Sequence, residues 1–332
     1  MKSYLTGGSR IRDVYSAPVL DALAVEAGLD TSAVLSADDL RAGRAADADA
    51  LFSTWGMPAL SVDEIRRALP RLGAVYYAAG SVQAFARPFL ECGVRVFSAW
   101  GANAVPVVEF TVAQIILANK GFHPCAALCR NRVGHDAAFR RFQGYPGNYG
   151  CRVGILGAGM IGREVVRRLV RGYRLDVLVY DPFYSEERAR EDGARKASLE
   201  VVFSTCQTIS NHIANLPATV GMLRYEHFSR MLPNATFINT GRGAQVVEPD
   251  LVRALREEPG RTAILDVTLP EPPEEGSPLY ALPNVVLTPH IAGSAGDEVH
   301  RMAEYMLDEF RRVSVGAASL YEVTPRMLDT MA

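Results

Sequence analysis

The stretch Arg152-Val153-Gly154-Ile155-Leu156-Gly157-Ala158-Gly159-Met160-Ile161-Gly162 joins a short apolar run to three glycines spaced GxGxxG. The run predicts a strand. Beyond it, Ile161, Val165, Val166, Leu169 and Val170 share one face at helical spacing, which puts the glycines at a strand-to-helix turn. There Gly157 permits a tight turn, Gly159 a close backbone approach to a pyrophosphate, and Gly162 close packing of helix on strand. The first turn of the helix, through Met160 and Ile161, presents free N–H groups and a positive dipole end to an anion. Glycines that merely pack a helix on a strand are the bland alternative. Against it stands Asp181, nineteen residues after Gly162, at the end of the next apolar run. A carboxylate there can hydrogen-bond an adenosine ribose. Pro182 and Phe183 follow it, with no adjacent arginine for a 2′-phosphate, which favours NAD over NADP.

Further apolar runs at 208–210, 235–239, 263–267 and 285–288 alternate with helical spacing, the pattern of βαβ units and a parallel sheet covered on both faces. This half reads as doubly wound α/β. The first hundred residues are mixed and less regular, with strands expected at 50–53, 74–77 and 94–98 and a helical pattern around 62–69. They read as a separate, smaller α/β domain. A joining helix is expected at about 105–120, with Pro106 as its start signal and Gly121 as its stop. Residues 121–150 lose periodicity and read as an excursion or arm. Ser294 with Asp297 resembles a capping box, and Val299, Met302, Ala303, Met306 and Phe310 continue a helix that could return to the first domain.

With 35 basic and 37 acidic side chains the chain is near electrical balance, which argues against a nucleic-acid or anionic-membrane partner. No run of about eighteen apolar residues is found, so no membrane span is expected. The N-terminus lacks the apolar core of a secretory signal. Five cysteines, with no CxxC pair, favour reduced thiols and a cytoplasmic location. His123 and His135 have no partner at metal spacing, and no metal is expected. Cys206 reads as a small buried residue and not a nucleophile.

In an open parallel sheet, ligands bind beyond the carboxyl ends of the strands. Arg242, Glu271 and His290 each fall at or near one of three successive strand ends. A guanidinium, a carboxylate and an imidazole form the set needed to reduce a 2-keto acid by hydride transfer. Arg242 can bind the substrate carboxylate through two parallel hydrogen bonds. His290 can protonate the carbonyl oxygen as hydride arrives, and reverse that role in oxidation. Glu271 can hold the other imidazole nitrogen. Taken singly, the arginine reads as a solvated turn residue, the glutamate as loop charge and the histidine as a packing residue. Their shared placement makes the group.

Asn239-Thr240-Gly241-Arg242-Gly243, Asp266-Val267 with Glu271-Pro272, Pro289-His290-Ile291-Ala292-Gly293, Tyr180-Asp181-Pro182 and the 157–162 glycines resemble the D-isomer-specific 2-hydroxyacid dehydrogenases. The resemblance covers roughly residues 103–313 and is loose before that. It implies that Arg242, Glu271 and His290 are catalytic in the roles above. It further implies that Asp266 contacts the nicotinamide carboxamide, that Thr240 and Gly293 lie along the cofactor, and that Ile213 and Thr219 lie near the dinucleotide. The implied fold is a Rossmann-type NAD-binding domain at 105–298 and a smaller flavodoxin-like substrate domain at 1–104 with 299–332. A cleft closing on a small 2-keto or 2-hydroxy acid and a homodimer, with the 121–150 arm as its contact, complete the implication. Two rival functions share the fold: an NAD-sensing, corepressor-like binding protein, and a formate- or phosphite-type dehydrogenase.

The family's substrate loop has two glycines separated by one residue, whereas Gly80-Ser81-Val82 has valine in the second place. The backbone N–H groups of that loop are expected to bind the carboxylate, and a Cβ at 82 narrows its conformations. Ala214 stands where proline is common, and Val247 where aspartate is usual. Trp55, Tyr76, Tyr77, Phe85 and Trp100 are candidate pocket walls, though core packing is the commoner fate of each. Arg87 and Arg95 could serve a phosphorylated substrate, with a surface position as the default.

Overall fold

The computed structural model describes residues 1–329. They divide into one unit of Met1–Val105 with the chain from Ser294 onward, and a second of Pro106–Gly293. The return to the first unit falls five residues before the expected 299, because Ser294 already donates its N–H to Asn103 Oδ1 at 3.3 Å.

In the first unit, β1 (Ser3–Thr6), β2 (Leu29–Leu35), β3 (Ala50–Ser53), β4 (Ala74–Tyr77) and β5 (Arg95–Ser98) form a parallel sheet in the order β2-β1-β3-β4-β5. That is the flavodoxin-like order. A short strand, Glu322–Val323, closes the β5 edge antiparallel. The sequence reading missed this strand, β1 and β2, whose polar Ser3, Thr6, Asp30, Thr31 and Ser32 dilute the apolar signal. The core is filled from both chain ends. Phe52 stacks on Tyr76 and Tyr76 on Phe97, with Phe310 edge-on to Phe52 and Tyr76. Tyr76, Tyr77 and Phe85 therefore belong to the core.

In the second unit, β6 (Arg152–Leu156), β7 (Asp176–Tyr180), β8 (Arg195–Lys196), β9 (Thr208–Asn211), β10 (Thr236–Asn239), β11 (Thr262–Leu265) and β12 (Val285–Leu287) form one parallel sheet. Its order is β8-β7-β6-β9-β10-β11-β12, the doubly wound arrangement, with its switch point between β6 and β9. Apolar clusters cover both faces, one centred on Phe203, Phe228 and Phe237 and the other on Val153, Val165 and Leu169.

Four local expectations need correction. The joining helix runs Trp100–Ala118, so Pro106 lies inside it and does not start it. A buried proline costs one helical hydrogen bond, about 3 kcal/mol, and burial of Val107 and Val108 beside it offsets that loss. The same helix, 19 residues with mean hydropathy 1.5, is long and apolar enough to cross a membrane by length and composition. Asn103, Glu109 and Gln114 hid this by breaking the apolar run. In the structure Val108 and Ile115 pack into the second unit's core. The 121–150 arm contains two helices, Phe122–Leu128 and Arg132–Phe142. Two of its glycines serve close packing: a Cβ on Gly134 would stand 2.1 Å from the Leu128 carbonyl oxygen, and one on Gly121 would stand 2.4 Å from the Tyr145 ring. Finally, the cap before the last long helix uses Glu298, which accepts the Ala295 N–H at 3.0 Å, and neither Ser294 nor Asp297.

Candidate active site

The carboxyl ends of β6 and β9 lie side by side, with Leu156 opposite Asn211. Gly157 leaves β6 with φ of 85°, and a Cβ there would meet the His212 carbonyl oxygen at 2.7 Å. Gly162 packs the helix Met160–Gly172 onto its own loop, since a Cβ would stand 1.9 Å from the Gly157 oxygen. Gly159 differs, because a Cβ there would meet nothing within 4 Å. It caps the helix without a side-chain bond, which leaves the N–H groups of the first turn without a side-chain cap. This is a cradle shaped for an anion against the backbone. Asp181 stands beside it, with Oδ2 accepting the Ala158 N–H and Oδ1 the Phe183 N–H, both at 2.7 Å. Each oxygen keeps a lone pair for a hydroxyl donor.

Ile213 and Thr219 lie on the segment after β9. The Thr219 hydroxyl closes that segment on itself, donating to the Ala214 carbonyl at 2.7 Å. Ala214 thus occupies an ordinary turn position. His212 is half-buried beneath the glycine loop, with Nδ1 shut off from solvent and Nε2 at 2.9 Å from Ser210 Oγ. Burial pushes its imidazole down to about 4, so it is neutral at pH 7.

Arg242 follows β10. Its Nη1 donates to the Gly241 carbonyl at 2.8 Å. Burial lowers the pKa of its guanidinium, and the charge of Glu271 opposes that shift. Gly243 lets this turn touch the segment after β11, where a Cβ would stand 2.0 Å from the Thr268 carbonyl carbon. That segment carries Glu271 between two cis peptide bonds, Leu269–Pro270 and Glu271–Pro272. Glu271 Oε1 lies 2.7 Å from His290 Nδ1. An ionised carboxylate accepts only, so Nδ1 carries the hydrogen and Nε2 is left for a reactant. The imidazole is 47% exposed.

His290 has φ of 56°, in the left-handed region. Asp266, only 2% exposed, builds the turn that holds it there. Its carboxylate accepts the Thr288 hydroxyl at 2.6 Å and the Ile291 and Ala292 N–H groups at 2.8 and 2.9 Å. Its own carbonyl accepts the His290 N–H at 3.1 Å. The Thr240 hydroxyl is buried against that of Thr111 at 3.2 Å, and Gly293 closes the unit. Sequence reasoning missed Asn211, Asn239 and Gln245, which fasten the Arg242 turn. Side-chain amides read as surface residues by default, and the one available signal was the position of Asn211 and Asn239 at strand ends.

In the first unit, Gly80 and Ser81 follow β4, with the Gly80 carbonyl accepting the Ser98 hydroxyl at 2.6 Å. Val82 is fully buried in the core, and its carbonyl accepts the Phe85 and Ala86 N–H groups. Among the described residues only Asn234 and His290 combine a side chain with positive φ. Val82 thus adopts its place without the left-handed backbone that would favour glycine. Arg95 is spent on a bidentate pair with Glu322, and Arg87 pairs with Asp329. Trp55 is half-buried under the Arg10 guanidinium, and Trp100 packs on Tyr321. Burial pushes the Cys206 thiol up to about 12, a structural cysteine.

Residues 112–292 match the model of the D-isomer specific 2-hydroxyacid dehydrogenase, NAD binding domain. The D-3-phosphoglycerate dehydrogenase of Archaeoglobus fulgidus is 32% identical over 202 residues, 61% of this chain and 37% of that protein. The putative 2-hydroxyacid dehydrogenase YoaD of Bacillus subtilis is 31% identical over 205 residues, 61% of this chain and 58% of that one. The matched part is thus about half the length of these relatives. The crystal structure of the apo D-mandelate dehydrogenase of Rhodotorula graminis shares the fold, with TM-score 0.81 at 20% identity over 97% of both chains. With more than half of its length matching that family model, on a sheet of the right order and with an open glycine cradle beside Asp181, the chain belongs to the D-isomer specific 2-hydroxyacid dehydrogenase family and carries its NAD-binding domain.

Proposed function

We propose that this protein is an NAD-dependent D-2-hydroxyacid dehydrogenase that reduces small 2-keto acids, with His290 as acid and base. The observation that carries the reading is the 2.7 Å contact between Glu271 Oε1 and His290 Nδ1, in the unit that also carries the glycine cradle and Arg242.

The first-turn N–H groups after Gly159 would hold the pyrophosphate and Asp181 the adenosine ribose. Bound NADH supplies the hydride that reduces C2 of the keto acid. Arg242 binds the substrate carboxylate through its planar fork, and its partial burial strengthens that contact. Glu271 fixes the ring of His290 and aims Nε2. The Nε2 proton passes to the carbonyl oxygen as C2 accepts the hydride, giving the 2-hydroxy acid; in oxidation Nε2 takes that proton back.

A homodimer and a cytoplasmic location belong to this reading. Phe122, Phe139 and Phe142, each more than 40% exposed on the 122–142 helices, support a contact with a second copy. Light scattering on the purified protein checks that contact.

The test is NADH oxidation against glyoxylate, pyruvate, hydroxypyruvate, phenylpyruvate and 3-phosphohydroxypyruvate, with NADPH controls. One class of keto acid should turn over. His290→Ala should cut kcat by at least about a hundredfold, the usual worth of a general acid, and leave the NADH Kd within twofold. Equal loss of turnover and NADH binding would remove His290 from the acid role. Silence across the panel with tight NADH binding would remove the reductase reading.

A further inference from the structure

Three buried amide side chains clamp the backbone of Arg242, and no proton or hydride step uses them. Asn239 Nδ2 donates to the Arg242 carbonyl at 3.0 Å, and its Oδ1 accepts the Gly241 N–H at 3.1 Å. Gln245 Oε1 accepts the Arg242 N–H at 3.1 Å. Asn211, at the end of the neighbouring strand, ties the two together. Its Nδ2 donates to Asn239 Oδ1 at 3.0 Å and to Gln245 Oε1 at 3.2 Å. Its Oδ1 accepts the Ile213 N–H at 3.2 Å, on the cofactor-side segment.

The network admits one orientation. Turning the Gln245 amide over would set its NH₂ against two donors, the Arg242 N–H and Asn211 Nδ2. It is also an expensive way to fill the space. Asn211 and Gln245 are fully buried and Asn239 is 1% exposed, and a buried amide is costly unless paired. Gln245 Nε2 has no hydrogen-bond partner among the described residues. A methionine or leucine would occupy the same volume without that cost. What the amides supply and an apolar filling cannot is a fixed position for the atoms on both sides of the Arg242 side chain.

We propose that Gln245 and Asn211 are positioning residues for Arg242. They fix the turn so that the guanidinium is presented in one place to the substrate carboxylate, and they tie it through Ile213 to the segment beside the cofactor. The proposal rests on the reading of Arg242 as the substrate-binding arginine.

The experiment compares Q245M, which keeps the volume and removes the acceptor, with Q245E, which keeps an acceptor oxygen toward the Arg242 N–H. For the keto acid that turns over, Q245M should raise KM by about tenfold, the worth of one hydrogen bond. NADH Kd should stay within twofold, and Q245E should recover most of the lost affinity. A KM for Q245M within twofold of the parent, or a Q245E no better than Q245M, overturns the proposal. N211L replaces Q245M if that variant does not fold, and is held to the same limits.

A second arm needs no turnover: the rate at which phenylglyoxal modifies Arg242, read by peptide mass spectrometry. It should rise severalfold in Q245M at an unchanged Tm and fall again in Q245E. Equal rates in all three proteins overturn the proposal. If the parent reduces none of the keto acids, the dehydrogenase reading fails, and this arm decides the positioning role by itself.

Discussion

His290 holds its left-handed backbone through Asp266, whose two carboxylate oxygens take three donors from residues 288–292. Such a conformation costs a non-glycine residue of order 1–2 kcal/mol and persists only where its surroundings over-determine it. Asp266→Asn exchanges one acceptor oxygen for an NH₂ that faces an N–H or hydroxyl donor. Both Tm and kcat should fall, and an unchanged kcat would show that the turn does not depend on this carboxylate. His212 makes a separate prediction about pH. Its imidazole is held neutral down to about pH 4, by burial, whereas in the unfolded chain it protonates near 6.5. Between those values the unfolded chain binds the extra proton, so stability falls as pH falls through this window. The full loss is about 3 kcal/mol at 1.4 kcal/mol per pH unit. His212→Asn should be less stable at pH 7 and close most of that gap by pH 4 in urea unfolding. A gap that stays constant would mean that His212 is not the group titrating.

The glycine loop separates two effects that a single substitution usually confounds. Gly159→Ala adds a methyl group in open space at an ordinary φ of −65°. Tm should therefore hold while NADH affinity drops at least tenfold, because the methyl stands where the pyrophosphate must approach. Gly162→Ala forces a Cβ to 1.9 Å from a carbonyl oxygen, and both Tm and affinity should fall. Calorimetric titration with NADH beside thermal melts distinguishes the pair, and a Gly159→Ala protein that binds normally would place the anion elsewhere. The same loop explains what was legible in the sequence. A parallel sheet buried on both faces needs near-continuous apolar runs, which β6, β7, β11 and β12 show, while β9 offers only Ile209 between polar neighbours. The strand-end rule then put Arg242, Glu271 and His290 on successive strands of one sheet. Where an element is stabilised by close backbone approach, the same residues read as loop. Gly121 and Gly134 made the 122–142 helices look irregular. Asn211, Asn239 and Gln245 drew no role from the sequence because an amide does not declare its own burial, and the bonds that join Asn211 to the other two span 28 and 34 residues.

Each unit has its own core, and both tryptophans, Trp55 and Trp100, belong to the first. That distribution makes the stability of the two units separately observable. Tryptophan emission reports the first unit, while bound NADH reports the second. Phe310 comes from the returning C-terminal helix, is 3% exposed and packs its ring on Phe52 and Tyr76. Truncating such a side chain costs about 3–5 kcal/mol, because the cavity left behind collapses only in part. Phe310→Ala should therefore move the tryptophan transition to lower urea concentration by 1–2 M or more, at a slope of about 1–3 kcal/mol per molar urea. Loss of NADH fluorescence should keep its parental midpoint, since no residue of the second unit's cores is touched. If both signals shift together, the chain unfolds as one cooperative block, and the division into two cores is structural without being thermodynamic.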